Sequence, residues 1–486
     1  MVFSSHLFIF YFLPLVLLLY YAMPQRGRNL MLTLLSYVFY GWANPLFSVL
    51  MLMSTLIDYL CGLLISNQFS RRAWQGPVPL LTPGGVRTRV QRIALMVTLG
   101  SNLSLLGFFK YFNFATASWT ALMTTLGLPD LGFDLAFQIV LPLGISFYTF
   151  QSMSYSIDVY RGDARAIRNF VDFACFVAMF PQLVAGPIIR FADVAAQLQH
   201  RAHTLTRFAR GVTFFSVGLA KKVLLANPCG KVADTVFAAA SATWLDAWYG
   251  VIAYAFQIYF DFSAYSDMAI GLGLMLGFVF AKNFDSPYHA QSITEFWRRW
   301  HISLSNWLRD YLYVPLGGNR LGARRTYLNL AIVMLLGGLW HGASWNFVIW
   351  GALHGGLLSF ERAFGKRPLY WALPAPLRVG LTFVIVLFTW VFFRARDLPA
   401  AMAYCATLLG LRTHDTPALL LSGLIAQPYY LGTVVLCAWV VWMCPQTWDW
   451  SSRLGLGKAM TALALFLLAV TLLTTQAYNP FIYFIF

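Results

Sequence analysis

Charge is what this sequence has least of. Asp, Glu, Lys and Arg make up 11% of its 486 residues, against roughly 25% in a soluble domain. With 59% hydrophobic and 17% aromatic residues, that scarcity excludes a soluble globular chain and defines a polytopic membrane protein. Length then stops counting domains, because a helical bundle in lipid can be one unit. We read residues 1–486 as a single membrane-embedded domain. Acidic residues are the rarer sign, 18 against 34 basic ones, for a net charge of +16. The basic residues sit in short loops between apolar runs. That is the positive-inside pattern, so membrane lipid and not nucleic acid is the expected surrounding. Cysteine is sparse, six in all, and none forms a C-x-x-C pair. Buried free thiols are expected, and a disulfide framework or zinc site is not. No H-E-x-x-H or C-x-x-C-H pattern occurs, so no metal or haem is called for. P-loop, dinucleotide and G-x-S-x-G signatures are also missing, which sets aside an ATP-driven pump and a serine hydrolase.

The apolar runs order the chain. The first span is expected from about Leu7 to Met23, followed by Arg26 and Arg28, which place that loop in the cytoplasm and the N-terminus outside. The opening segment lacks a basic n-region and a cleavage site, so it reads as a retained span. Leu30 to Tyr40 and Leu46 to Ile65 are split by GWANP, a hairpin bend. A basic loop carrying Arg71, Arg72, Arg87, Arg89 and Arg92 should be cytoplasmic. Ile93 to Phe109 leads out, Phe137 to Ile157 leads back, and RGDARAIR is cytoplasmic again. The run Phe170 to Ile189 has basic loops on both flanks, and its Pro181, Gly186 and Pro187 suit a re-entrant segment. Irregular backbone at membrane depth is tolerated only where protein covers it or it lines a cavity. Trp248 to Phe280 is long enough for two spans with a turn near YFDFSAYSD, where Asp261 and Asp267 are either helix caps or pocket groups. At roughly 20 residues per crossing, about 11 spans are expected, with one or two re-entrant or interfacial helices.

Against this quiet background, the stretch from Glu295 to Gly355 concentrates ionisable groups: Arg298, Arg299, His301, Arg309 and Asp310, then His341 and His354. Such groups cost roughly 2.5–3.5 kcal/mol each at membrane depth and are functional candidates by default. On a helical wheel, Glu295 to Leu312 places Phe296, Trp300, Leu304 and Trp307 on one arc and Arg298, His301, Ser305 and Arg309 on the other. The segment is either an interfacial helix or the lining of a wet cavity. The arginines either mark topology or hold donor phosphates, which guanidinium forks match. The run Tyr327 to Trp340 ends at His341, where a neutral imidazole suits general base work. Gly337, Gly338 and Gly342 would let another helix or a thin ligand approach the backbone. On a continuous helix His354 would face away from His341.

These residues carry a resemblance. LPLGISFYTFQSMSYSIDVYRGD, FPQLVAGPIIRF, YFDFSAYSDMAIGLGLMLGF, SITEFWRRWHISLSNWLRDYLYVPLGGNR, GGLWHGASWNFVIWGALHG and YNPFIYF, in this order, resemble the membrane-bound O-acyltransferase family, in its bacterial alginate and exopolysaccharide O-acetylase branch. One position departs from the alginate members, which tend to have a histidine where this chain has Gln182; cellulose-acetylating relatives look closer there. The resemblance implies an all-α helical bundle around a tunnel through the bilayer. It implies His341 as the principal catalytic histidine and His301 as the second. The donor it implies is acetyl-CoA from the cytoplasm, with no permanently bound cofactor, at the bacterial inner membrane. Periplasmic polysaccharide O-acetylation proteins are the implied partners. Arg298, Arg299, Arg309 and Asp310 are candidates for donor or substrate binding, and protonated His301, Trp340 or Asn346 for the developing oxyanion. Other readings stay open: acylation of peptidoglycan, teichoic acid or lipid, and a transporter or scaffold of an export complex. A transporter predicts internal repeats, which the sequence lacks.

Overall fold

Apolar runs without proline or glycine have one low-cost conformation in lipid, the helix, because each peptide group must be satisfied within its own segment. Every regular element described is helical. The computed structural model describes the chain except at residues 43, 70–75, 135–136, 185, 413–415, 477 and 483–486, and the side chains of 416–419. Arg71 and Arg72 of the expected cytoplasmic loop, and the last four residues of the aromatic tail, lie outside the described residues. The chain forms two compact units, Met1–Phe208 with Gly273–Phe280, and Ala209–Leu272 with Ala281–Phe486.

In the first unit α1 is Leu7–Ala22, α2 Arg28–Gly41, α3 Pro45–Ile65, α4 Arg89–Thr125, α5 Ile145–Arg161, α6 Phe170–Ala178, α7 Phe180–Leu183 and α8 Phe191–Gln199. The bend at GWANP is present, with the Asn44 side chain accepting from the Leu46 amide at 3.0 Å to cap α3. A capping box of Thr88 and Gln91 starts α4. Asp58, buried within α3, is satisfied by the Asn102 amide at 2.8 Å and by the Thr98 hydroxyl, both from α4. The helix expected from Phe137 begins only at Ile145. Pro142 blocks it, and Gly144 takes a left-handed φ of 73° so close to α7 that a Cβ there would lie 2.5 Å from the Leu183 carbonyl. The run Phe170 to Ile189 is broken into short pieces, as its prolines and glycine require. Its flanks meet at one side chain: the Asn29 amide donates to Asp172 at 2.6 Å and to the Leu198 carbonyl at 2.9 Å. Arg201 donates to Asn29 at 2.8 Å, so Arg201 and the start of α2 lie at the same end of this unit.

In the second unit α9 (Leu205–Ala220) runs through a wide turn at Lys221–Ala226 into α10 (Asn227–Ala238). Then α11 (Trp244–Met275) is one uninterrupted helix. The turn expected near YFDFSAYSD is absent, because residues 251–270 contain neither proline nor glycine and the acidic groups need no turn to be satisfied. Lys222 pairs with Asp261 at 2.7 Å with both side chains buried, and Lys221 and the Thr447 hydroxyl each reach Asp267 at 2.7 Å. The remaining helices are α12 (Ile293–Arg299), α13 (Ile302–Leu308), α14 (Gly322–His341), α15 (Trp345–Ala363), α16 (Ala375–Arg394), α17 (Leu398–Leu408), α18 (Thr416–Ile425), α19 (Pro428–Met443), α20 (Thr447–Trp450) and α21 (Leu456–Thr475).

Among the described residues four helices are long and apolar enough to cross a membrane, α3, α4, α16 and α21, and shorter apolar helices accompany them. Their outer faces are dressed in large apolar side chains that stay exposed, such as Leu463, Leu467 and Met460 on α21. In water such a surface would drive association; in a bilayer it is solvated by lipid. The chain is a multi-pass membrane protein.

The tightest helix pair is α14 against α15, and glycine makes it possible. A Cβ at Gly338 would stand 2.2 Å from the Phe347 carbonyl oxygen, and one at Gly351 would stand 2.4 Å from the Met334 carbonyl oxygen. Gly342 lies equally close to the Phe347 ring, whereas Gly337 meets only the Leu308 side chain at 3.4 Å. Because backbone atoms cannot swing away, Gly338→Val is expected to force α14 and α15 apart at about 1–3 kcal/mol. The check is a lower unfolding temperature in detergent than the wild type, with Gly337→Ala close to wild type.

Candidate active site

The stretch that one helical wheel would make continuous is broken in the middle. Trp300 and His301 stand between α12 and α13, with His301 in the left-handed region at φ 43° and ψ 54°. This conformation is unfavourable for any residue with a Cβ and persists only where neighbours enforce it. Here the segment 283–285 does so. The Ile302 amide donates to the Asn283 carbonyl at 2.9 Å, and the Asp285 amide donates to the Arg299 carbonyl at 2.9 Å. The Asn283 side chain accepts from the Ser303 hydroxyl at 2.9 Å and donates to the Ser266 hydroxyl at 2.9 Å. Upstream, the buried carboxylate of Glu361 on α15 accepts from the Ile293 and Thr294 amides at 2.7 and 2.8 Å, satisfying the first turn of α12. The break turns Trp300 and His301 into the core, both nearly inaccessible.

His341 arrives from another direction as the last residue of α14, and the extended Gly342 ends the helix behind it. The His301 and His341 rings lie 6.1 Å apart between centroids. Aromatic rings enclose them: Trp340 is 5.0 Å from His341, Phe393 5.2 Å, Trp350 5.3 Å, and Phe262 is 4.6 Å from His301. A cavity of about 10 Å³, room for about one water, is lined by Phe262, Trp300, His341, Trp390, Phe393 and Ile482. Both His301 ring nitrogens and the Trp350 indole nitrogen are buried without a hydrogen-bond partner among the described residues. Burial, and then the neighbouring His341, hold His301 well below the usual imidazole range. Burial at this position therefore works against the imidazolium expected from the sequence.

The structure separates the other candidates. Trp340 joins the histidine cluster, with its ring 5.8 Å from that of His301. Asn346 is buried, and its amide donates to the Ala395 carbonyl at 2.8 Å. Arg298 is exposed, Arg299 pairs with Glu295 at 2.8 Å, and Arg309 pairs with its neighbour Asp310 at 2.7 Å. These four form a polar rim on α12 and the turn after α13, outside the aromatic enclosure. His354 is fully committed: it accepts from the Trp297 indole at 3.2 Å, and its other nitrogen bonds the Thr389 hydroxyl at 3.1 Å. Its place is structural.

Residues not singled out from the sequence complete the site. Asn283 and Glu361 hold the break. Trp350, Trp390 and Phe393 wall the histidines. Ile482 comes from the C-terminal tail, which the buried Lys222–Asp261 pair anchors: Asp261 accepts from the Ile482 amide at 2.8 Å, and Lys222 donates to the Pro480 carbonyl. Glu361 and Lys222 carried a readable signal, charge inside or beside an apolar run, as did Asp261, already noted above; Asn283 carried none.

A multi-pass helical protein with two histidines enclosed by aromatic rings has the form of a membrane-embedded transferase. The chain belongs to the membrane-bound O-acyltransferase family, whose sequence profile matches residues 163–394, and its sequence groups with the alginate O-acetylase branch. A probable alginate O-acetylase (AlgI) of Pseudomonas putida is 44% identical over 510 aligned positions covering all of both chains. One of Azotobacter vinelandii is 50% identical over 84% of this chain and 78% of its own. A peptidoglycan O-acetyltransferase of Helicobacter pylori is 36% identical over 85% of this chain and 80% of its own.

Two substitutions test the assignment of roles. Asn283→Ala removes the clamp on the left-handed His301, at about 1–3 kcal/mol for the orphaned groups. It is expected to lower turnover per folded molecule with donor KM little changed. His354→Ala is expected to lower the unfolding temperature while turnover per folded molecule stays within a few-fold of wild type; loss of turnover at full stability would contradict its structural place.

Proposed function

We infer that this protein is an O-acetyltransferase of the bacterial inner membrane that takes acetyl groups from cytoplasmic acetyl-CoA for O-acetylation of an exported acidic polysaccharide. The observation that carries the reading is the pair His341 and His301, 6.1 Å apart among aromatic rings. His341 accepts the proton of an acceptor hydroxyl, the oxygen attacks the thioester carbonyl, and collapse of the tetrahedral adduct breaks the C–S bond. The departing thiolate then takes the proton from His341. The oxyanion is met by N–H groups already fixed in place, from neutral His301 and from the indole of Trp350, which need no reorganisation as charge develops. The narrow cavity favours a short acyl group. Arg298, Arg299 and Arg309 on the rim suit the donor phosphates.

Sidedness follows the basic residues. Arg320, Arg324 and Arg325 precede or open α14, and Arg362, Lys366 and Arg367 end α15 or follow it. By the positive-inside rule that end is cytoplasmic and His341 is at the opposite end of α14. The same rule places the N-terminus in the periplasm, where partner proteins of the O-acetylation pathway would act. The bonds from Asn29 to Asp172, near the start of the run, and to the Leu198 carbonyl at the end of α8 support a re-entrant segment. The acceptor polymer is inferred from the alginate O-acetylases at 44–50% identity. The Helicobacter pylori relative, by its name a peptidoglycan O-acetyltransferase, makes cell wall the competing acceptor.

The deciding measurement is acetyl-ester content of secreted polysaccharide and of cell wall, in strains with wild type, His341→Ala or no copy, at matched membrane levels of the protein. His341→Ala is expected to lose about 10²–10⁴-fold in transfer rate, the usual contribution of a general base, with esters missing from the secreted polysaccharide. Ester loss from cell wall alone would replace the acceptor, and wild-type esters in His341→Ala would remove the histidine from the chemistry.

A further inference from the structure

One end of the first unit holds a cluster of cationic side chains that the acetyl-transfer mechanism does not use. Tyr20, buried near the end of α1, stands at its centre. Its hydroxyl donates to the Leu276 carbonyl at 2.7 Å and, having one proton, accepts at its other contacts. It accepts from Arg201 Nε at 3.1 Å and meets His203 Nε2 at 2.9 Å. Nε2 of His203 is thereby the donor, which leaves Nδ1 facing Arg28 Nη1 at 3.3 Å. The left-handed Gly277 lets the imidazole lie against the backbone, since a Cβ there would stand 2.8 Å from Nε2. Burial, and then Arg28 and Arg201, lower His203 below the usual imidazole range and work against a proton on Nδ1.

The charges of this cluster are not balanced. Arg28 otherwise bonds the Met23 carbonyl at 3.3 Å, and Arg201 bonds the Asn29 side chain at 2.8 Å and the Gln197 carbonyl at 3.2 Å. Among the described residues neither guanidinium meets a carboxylate. Asp172 stands one side chain further off, bonded to the Asn29 amide at 2.6 Å. Arg28, Arg201 and His203 are all half-buried. Arg28 lies 5.2 Å from the Tyr20 ring centroid and Arg201 lies 4.3 Å from that of Phe278, so aromatic faces steady both forks. Large apolar side chains stay exposed on the helices that carry the cluster: Leu18 and Tyr21 on α1, and Leu30 and Leu34 on α2. By the positive-inside rule, Arg26 and Arg28 put this end at the cytoplasmic surface, the level of lipid headgroups.

We propose that Arg28, Arg201 and His203 bind the phosphate of an anionic membrane phospholipid, whose acyl chains lie on the exposed apolar faces of α1 and α2. Guanidinium forks match phosphate oxygens, and basic pockets between membrane helices suit anionic headgroups. A phosphate offsets the charge of both arginines and accepts from a protonated Nδ1, so binding takes up a proton and tightens as pH falls. The groups facing His203 are Tyr20 and Tyr21 from α1, Arg28 from α2 and Arg201 from its own segment, with Asp172 reached through Asn29. Of these, His203 is the one that titrates near neutral pH.

The test measures binding to the full-length protein in a neutral detergent, with phosphatidylglycerol, phosphatidylcholine of the same chains, CoA and inorganic phosphate as separate probes. Phosphatidylglycerol is expected to bind about ten-fold more tightly than phosphatidylcholine, through charge-assisted hydrogen bonds to its phosphate and net charge. CoA and phosphate are expected not to displace it. Arg28→Gln is expected to weaken it about ten-fold, the loss of one charged hydrogen bond, with an unchanged unfolding temperature in the absence of lipid. Arg324→Gln, at an exposed arginine in the first turn of α14, is expected to bind as wild type does. Wild-type affinity is expected to rise several-fold from about pH 8 to about pH 6, the range in which an imidazole gains its proton, and His203→Gln is expected to remove that rise. Equal binding of the two lipids, or binding indifferent to Arg28→Gln, would overturn the proposal. Displacement by CoA or phosphate at the affinity of the lipid would assign the cluster to a soluble phosphate and overturn it as well. A flat pH series in the wild type has the same force and needs no variant to fold.

Discussion

The site depends on one backbone constraint, the reversal of the chain at Trp300 and His301. A residue with a Cβ at φ 43° carries local strain, of order 1–3 kcal/mol. Two short helices of seven residues each have little intrinsic stability to oppose it. The strain is held by hydrogen bonds from Asn283, Asp285 and Glu361, each contributing on the order of 1 kcal/mol, and more where the acceptor is a buried carboxylate. Release of the break would let α12 and α13 merge into the amphipathic helix the sequence pattern favours. His301 would then rotate out of the enclosure and His341 would lose its neighbour.

The aromatic enclosure converts that geometry into chemistry. With Trp300, Trp340, Trp350, Trp390, Phe262 and Phe393 around two imidazoles, water is largely excluded and the enclosure disfavours charge on the rings. A neutral imidazole is a base with one lone pair and a donor with one N–H, the two roles that the proposed transfer asks of this pair. The buried charges of Lys222 and Asp261 neutralise each other. The Lys222–Asp261 pair is costly to bury unless both ions gain further bonds, and both do, from Pro480 and Ile482 of the tail. The tail thereby becomes part of the pocket wall.

Much of this was legible from the chain. Scarcity of charge gave the membrane, and His301 and His341 stood out as ionisable groups within apolar sequence. The helix break at GWANP and the fragmentation of Phe170 to Ile189 were written in proline and glycine. Where the reading failed, tertiary contact had overridden a local rule. Helical periodicity made Glu295 to Leu312 one helix, because the pattern counts side chains and cannot see a strand of backbone at 283–285 competing for the same amides. The aspartates of α11 suggested a turn, because their lysine partners lie some forty residues upstream. The proton proposed on His301 was an expectation about an isolated imidazole, and the burial that works against it depends on residues from α11 and α14.

The sequence by itself determined solvent, fold class, family and the two histidines, since these follow from composition and from residue types that have few uses in lipid. Only the tertiary structure decided which ionisable groups stand together. It brought His301 to His341, committed His354 to Trp297 and Thr389, and set the rim arginines outside the enclosure. The physical reason is that a burial cost can be read from one residue, whereas the contact that offsets it depends on partners distant in the chain.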